Sequence, residues 1–304
     1  MNIRKFLCYI YRISLTFPSW IQKIKVGGII RKTTAIIYEK YIIFNYPHST
    51  PIPKTKSEVI VSLTSFPKRI QTLWMVIECL MRQTIAPKKI ILWLSELQFP
   101  DKQKLPSKLL EQQERGLEIR FVPEDLRSHK KYYYTFLEYP DSPVLLADDD
   151  ILYSPNLIEE LLKDFGPGTV HCGYGSYITR NQDGSVKPYN EWRRIATKDN
   201  QNDFFFGSGG GTLLLPSSLS DYKCRKDLFT NLCPIADDIW LNAMARINKL
   251  SITKVRTEPI IPVKIKDNET LADSNLSKEA KINNDIQIEN VNRYYLDITG
   301  EKIF

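Results

Sequence analysis

Past Pro51 and Pro53 the chain alternates short unbroken apolar runs with amphipathic stretches. Val59, Ile60, Val61 and Leu63 form the first run, closed by Thr64-Ser65-Phe66-Pro67. Leu73, Val76, Ile77, Leu80 and Met81 then recur at helical spacing and stop near Thr84 and Pro87. Cys79 shares that apolar face and reads as core. A second run spans Ile90 to Leu94, followed by a helix around Leu109 to Arg115, which Gly116 closes. A third run, Leu117 to Val122, precedes a helix over about His129 to Leu137. The fourth run, Pro143 to Ala147, leads to a helix with Leu157, Ile158, Leu161, Leu162 and Phe165 on one face. Runs separated by helices at intervals of about 25–30 residues predict βαβ units. Such units build a mostly parallel sheet with helices on both faces, an α/β fold.

The second half is less regular. A strand-like run, Thr169 to Cys172, is followed by a polar loop with a turn signal at Asp183-Gly184. Phe204 to Phe206, a glycine cluster and the run Leu213 to Leu215 come next. Ile239, Trp240, Ala243, Met244 and Ile247 mark a further amphipathic helix. The last 40 or so residues are polar and read as a peripheral helix or lid. The expected organisation is an N-terminal extension (1–53), a main domain (54–265) and a polar C-terminal segment (266–304).

Charge changes the reading of the first segment. The net charge is +7, and all of it lies in residues 1–50, where eight basic residues face a single acid, Glu39. The rest of the chain carries 34 residues of each sign. A basic nucleic-acid-binding body is therefore not expected. The extension mixes Phe6, Tyr9, Tyr11, Phe17 and Trp20 with Lys and Arg. Arg12 and Pro18 interrupt its most apolar part, which falls short of a membrane span. Two readings stand: a helix lying on an anionic membrane surface, or one packed on the body or on a second copy. Five scattered cysteines without a CxxC pair, and no secretory cleavage pattern, point to a reducing, cytoplasmic setting, with peripheral attachment to the inner membrane face as an option.

Four motifs carry candidate chemistry. Ala147-Asp148-Asp149-Asp150 follows directly on a buried run, where ligand sites of open α/β sheets lie. Adjacent carboxylates need a compensating cation, and Mg²⁺ or Mn²⁺ takes oxygen ligands and substrate phosphates. Asp148 and Asp150 can point to one side of an extended turn. The plainer reading is an acidic turn before the helix near Asn156. Asp237 and Asp238 open the helix that carries Trp240. One is either an N-cap or a general base aimed into a cleft. Gly207 and Gly209 to Gly211 let backbone approach a ligand, or make a turn before a strand; no Gly-Lys-Ser/Thr follows, so they are not a P-loop. Lys130 and Lys131, after His129, either meet a diphosphate or start a helix.

Val59-Ile-Val-Ser-Leu-Thr-Ser-Phe-Pro-Lys-Arg69, Arg82-Gln-Thr84, Ile90-Ile-Leu-Trp-Leu-Ser95 and Ala147-Asp-Asp-Asp150 together resemble the nucleotide-sugar half of GT-A glycosyltransferases. The nearest style is the bacterial family-2-like enzymes of capsule and lipopolysaccharide synthesis. The resemblance covers about residues 57–250. It implies a GT-A (Rossmann-like) fold and transfer of one hexose-type sugar from a nucleotide-diphosphate sugar, UDP-linked by first expectation, to a glycan or lipid-linked acceptor. It implies that Thr64, Arg69, Ser95, Lys130, Lys131, Asp148 and Asp149 line the nucleotide-sugar site, with Asp148 and Asp150 as metal ligands. It implies Asp238 as base beside Asp237, with Gly209, Gly210, Gly211 and Trp240 near the acceptor. Three departures stand out. The second strand ends Trp93-Leu-Ser-Glu96 rather than in an Asp-rich turn. No histidine follows the acidic pair, since the three are His48, His129 and His171. The Gln-x-x-Arg-Trp signature of processive synthases is absent, which favours single-sugar transfer. Two other classes remain open: a metal-dependent nucleotidyl- or phosphotransferase, and a non-enzymatic glycan- or Ca²⁺-binding protein.

Overall fold

The computed structural model describes residues 3–15, 26–45, 56–101, 104–194, 203–257, 261–263 and 282–304. Phe17, Trp20, His48, the boundary expected at 53/54 and residues 266–281 of the C-terminal segment lie outside the described residues.

Two helices come first, α1 (Ile3–Leu15) and α2 (Val26–Asn45). Then β1 (Ile60–Thr64), α3 (Ile70–Met81), β2 (Lys89–Ser95), α4 (Ser107–Gln113), β3 (Leu117–Val122), α5 (Lys130–Glu138) and β4 (Val144–Ala147) alternate as the apolar runs predict. Next are β5 (Ile151–Leu152), α6 (Leu157–Leu162), β6 (Thr169–Cys172), β7 (Gly175–Tyr177), β8 (Phe204–Phe206) and β9 (Gly210–Leu214). The chain closes with α7 (Lys226–Leu232), α8 (Asp237–Ile247), β10 (Ser251–Lys254), β11 (Ile261–Pro262) and α9 (Asn284–Thr299).

The central sheet has seven strands in the order β10-β6-β9-β4-β1-β2-β3. All neighbours are parallel except β9, which runs antiparallel to both β4 and β6. β1 is an interior strand and reads as a nearly continuous apolar run because helices cover both faces. Val61, Leu63, Leu145 and Ala147 face the cluster that holds α3, while Val144 and Leu146 face the cluster of α5 and α8. The antiparallel β9 departs from simple βαβ alternation. After β6 the chain makes a small side ribbon, β7 with β8, and re-enters the sheet from the opposite end. The direction can therefore reverse without a helical crossover.

Strand order turns at β1. From there β2 and β3 build one way, and β4 is laid on the other side. Such a reversal opens a crevice at the carboxyl ends of β1 and β4, where Thr64-Ser65 and Asp148–Asp150 emerge.

α1 and α2 form an antiparallel pair. Arg4 Nε donates to the Tyr38 hydroxyl at 2.9 Å, and Arg31 donates to the Ser14 carbonyl at 3.1 Å. The pair is fastened to the body through Arg4, which also donates to the carbonyls of Tyr153 at 3.2 Å and Arg82 at 3.3 Å. Tyr11, read as part of a surface aromatic set, is buried in this packing, whereas Phe6 and Tyr9 are exposed. No described helix is long and apolar enough to cross a membrane. α9 buries Ile288, Val291 and Tyr295 in the same cluster as α8.

Candidate active site

The acidic loop is built by a local fault in the sheet. β4 and β9 pair Leu146 with Thr212 but Ala147 with Gly210, so Gly211 is the extra residue of a bulge. Gly211 has φ +88°, and a Cβ there would crowd the Leu157 side chain at 3.0 Å. The bulge ends β4 and turns the next three residues out. The Asp148 amide donates to the Gly209 carbonyl at 3.2 Å and to the Tyr153 hydroxyl at 2.7 Å; that hydroxyl in turn donates to the Gly209 carbonyl. A Cβ on Gly209 would lie 1.8 Å from the Asp148 carboxyl group. Glycine at 209 is thus the space in which Asp148 sits, and Gly207 and Gly210 do the same for Tyr174.

The three aspartates alternate in exposure, as an extended turn requires. Asp148 and Asp150 keep 41% and 30% of their side chains in solvent, and Asp149 keeps 7%. Asp149 faces inward. It accepts from Ser65 Oγ at 2.6 Å and Arg69 at 2.7 Å, joining the end of β1 to the end of β4. The same Arg69 nitrogen is 2.9 Å from Asp150. Burial, then the neighbouring Asp148 carboxylate, pushes Asp150 up to about 6.

Lys131 ties this loop to the second acidic pair. It is almost fully buried, with Nζ 2.8 Å from Asp148 and 3.0 Å from Asp237. Burial alone would lower its pKa, but Asp148, Asp237 and Asp238 outweigh that and hold it above the ordinary lysine value. Its helix is fixed over the sheet because Ser62 Oγ donates to the Lys131 carbonyl at 2.5 Å and shares a 2.6 Å hydrogen bond with Thr135.

Asp237 and Asp238 are adjacent but differ in role. Asp237 is buried and accepts from Ser208 Oγ at 2.6 Å as well as from Lys131. Burial raises its pKa, yet Lys131, His129 and Ser208 bring it below the usual range. Asp238 is half-buried, and its carboxylate accepts the Ser208 amide at 2.7 Å. Burial and the Asp237 carboxylate push it up to about 7. The helix entry is pinned from outside: Gln287 Oε1 accepts the amides of Ile235 and Ala236 at 3.1 and 3.2 Å. Asn242, one turn on, brackets Phe206 with hydrogen bonds of 3.1 and 2.8 Å.

The structure therefore brings together Arg69, Lys131, Asp148, Asp149, Asp150, Asp237 and Asp238, with the glycine segment beneath them. Thr64 lies beside them at the end of β1, its hydroxyl donating to the Trp93 carbonyl at 2.7 Å. Three expected residues point elsewhere. Trp240 is fully buried and its indole donates to the Lys223 carbonyl at 2.9 Å. Two residues on a helix turn the side chain by about 200°, so a helix that presents Asp238 to the cleft presents Trp240 to the core. Lys130 is ion-paired with Asp125, not with the acidic loop. Ser95 is buried and its hydroxyl accepts the Leu97 amide at 3.2 Å, shaping the turn after β2. His129 stacks on Phe229 and donates to the Cys233 carbonyl at 2.8 Å. Burial pulls it down to about 4, so it is neutral at pH 7. Ser65 and Ser208 lie inside the quoted strand-end and glycine segments with no role read for either, and Tyr153, Asn242 and Gln287 fall outside the motifs.

Five carboxylates face two cations, so the cleft favours a further positive charge. Among the described residues no three His, Cys, Asp or Glu side chains are grouped to hold an ion. Asp148 and Asp150 are two partly exposed oxygen donors on one side of a turn, a set that fits a hard cation whose other ligands are phosphate and water. A separate cleft of about 360 Å³ lies between Gly184–Pro188 and α9 and contains none of these acids.

No protein-family profile matches the chain, and no curated protein matches it. Among solved structures, HddC from Yersinia pseudotuberculosis is 14% identical over 53% of this chain and 77% of its own, with a TM-score of 0.32. The same protein complexed with GMP-PN is 14% identical over the same shares, with a TM-score of 0.31. The inositol-1-phosphate CTP transferase from T. maritima is 9% identical over 67% of this chain and 86% of its own, with a TM-score of 0.37. None of the three is named as a glycosyltransferase.

Proposed function

We propose that this chain is a nucleotide-dependent transferase and that the group it moves is a glycosyl residue. The supporting observation is Asp238: a half-exposed carboxylate raised to about 7, beside a cleft floored by Asp148 and Asp150. A general base works best with a pKa near the working pH. In this reading Asp238 accepts the proton of an acceptor hydroxyl while that oxygen bonds to the anomeric carbon. The bond from that carbon to the diphosphate breaks in the same displacement, and configuration inverts. No second carboxyl acid is required, because a diphosphate leaves as an anion, unlike the leaving group of a glycoside hydrolase. Mn²⁺ or Mg²⁺, held by Asp148 and Asp150, would neutralise the departing diphosphate. Lys131 holds Asp148 and Asp237 in place, and Arg69 does so for Asp149 and Asp150. Thr64 and Arg69 flank the nucleotide side; Gly209 to Gly211 form the floor on the acceptor side. The acceptor is a glycan or a lipid-linked sugar.

The second reading is nucleotidyl transfer, and one structure named above is a CTP transferase. There the nucleophile is a sugar phosphate, already ionised, which gives Asp238 no proton to take. The two readings therefore part at Asp238. With Mn²⁺ present, Asp238→Asn is expected to reduce turnover of UDP-sugars by about 10²–10⁴-fold, while a UDP-induced rise in melting temperature persists. Pyrophosphate release from nucleoside triphosphates that survives Asp238→Asn would establish the second reading instead. A retained linkage in the product, seen by NMR, would refute inversion.

A further inference from the structure

The solvent side of the α1–α2 pair is apolar and cationic at once. On α1, Ile3, Phe6 and Tyr9 are exposed, with Lys5 among them. On α2, Ile29, Lys32, Ile36, Lys40 and Ile43 follow one another at spacings of three and four, which places them on one face. Ile29 is 63% exposed and Ile43 47%, and Lys32 and Lys40 are both exposed. The inner faces, with Arg4, Leu7, Tyr38 and Ile42, are already used against the body. Large apolar side chains left in water on adjoining helices mark a contact surface.

We infer that this face docks on an anionic lipid surface, the isoleucines and aromatic rings entering the headgroup boundary and the lysines meeting lipid phosphates. The charge pattern selects this occupant. A second copy seated on the same face would set Lys5, Lys32 and Lys40 against their own equivalents, with Glu39 the only acid on either helix. A nucleic acid would meet the lysines but leave the isoleucines and phenylalanine in water. An anionic bilayer satisfies both, since lysine stems lie along apolar surface with the ammonium at the phosphate level. The inference does not depend on the reaction catalysed.

Cosedimentation of the full chain with vesicles tests it. Vesicles of mixed phosphatidylglycerol and phosphatidylcholine are compared with pure phosphatidylcholine, at low and high salt. Binding is expected only to the anionic vesicles, with release at high salt as charge is screened. Ile29→Glu with Phe6→Glu, and separately Lys32→Glu with Lys40→Glu, are each expected to weaken it at least about tenfold. An unchanged melting temperature in each variant shows that these surface changes leave the fold intact. Failure of the parent chain to bind anionic vesicles at low salt overturns the inference, as does undiminished binding by both variants. A concentration-dependent dimer that the Ile29/Phe6 variant dissolves would assign the face to a second copy instead.

Discussion

At the residue scale, the informative contrast is between Asp237 and Asp238. Both open the same helix, yet Lys131 and Ser208 hold the first ionised while burial and the first hold a proton on the second. A carboxylate near 7 gives a sign that can be checked. Activity is expected to rise with pH through about 7 as Asp238 loses its proton, measured as kcat/KM across buffers. Stability runs the other way. Asp238 and Asp150 titrate at about 7 and about 6 when folded and near 4 when unfolded. Between about pH 4 and 7 these two groups bind more protons in the native state, and their share of stability falls as pH rises, against an opposite share from His129, which burial pulls down to about 4. The stability difference between the parent and Asp238→Asn, read from urea midpoints, is expected to shift against the parent as pH rises from about 4 to 7. The two acid motifs were legible in the sequence because each abuts an apolar segment. Their partners were not: Ser65 and Asp149 are 84 positions apart, Ser208 and Asp237 are 29 apart, and no spacing rule links them. Trp240 is different. It sits among Ile239, Ala243 and Met244 on the apolar face, so the helical period already placed it in the core.

At the scale of elements, the bulge between β4 and β9 converts a strand end into a site. Glycine-rich sequence was legible there, and its purpose was not. The glycines make room for Asp148, Tyr174 and Leu157, which arrive from three other segments. Gly209→Ala is the sharp test. Its new Cβ would coincide with the Asp148 carboxyl group, so the acidic loop must shift. A loss of about 1–3 kcal/mol in unfolding free energy is expected, with a larger proportional loss of turnover than of nucleotide affinity. A variant with parental stability and rate would show that the loop has slack. The parallel half of the sheet followed from period and spacing alone. The antiparallel β9 did not, because direction is set by where the β7–β8 ribbon returns the chain and not by the strand's own residues.

At the scale of the molecule, the sheet brings together segments from β1 through α8, and the N-terminal pair is fastened to the same loop. Arg4 holds the Tyr153 carbonyl, and the Tyr153 hydroxyl holds Asp148 and Gly209. Arg4→Met keeps the bulk but removes the donor to the buried Tyr38 hydroxyl and leaves the Tyr153 carbonyl only the long 3.4 Å bond from that hydroxyl. It is expected to cost about 1–3 kcal/mol, read as a lower urea midpoint; an unchanged midpoint would mean that water replaces the guanidinium. The basic excess of the first segment was plain in the sequence. That one of its arginines turns inward was not, since position along α1 separates Arg4 from Lys5 by a single residue.

That fastening also has a dimension in time. Arg4 leaves the ribosome 149 residues before its acceptor at Tyr153, a wait of roughly 7–30 s at ordinary rates of synthesis. Until then α1 and α2 lack this tie to the acidic loop. Lys131 likewise precedes Asp237 by more than a hundred positions. The nascent chain thus carries the two cations of the cleft, Arg69 and Lys131, before the acids they meet, and the cleft is completed only when α8 has been made.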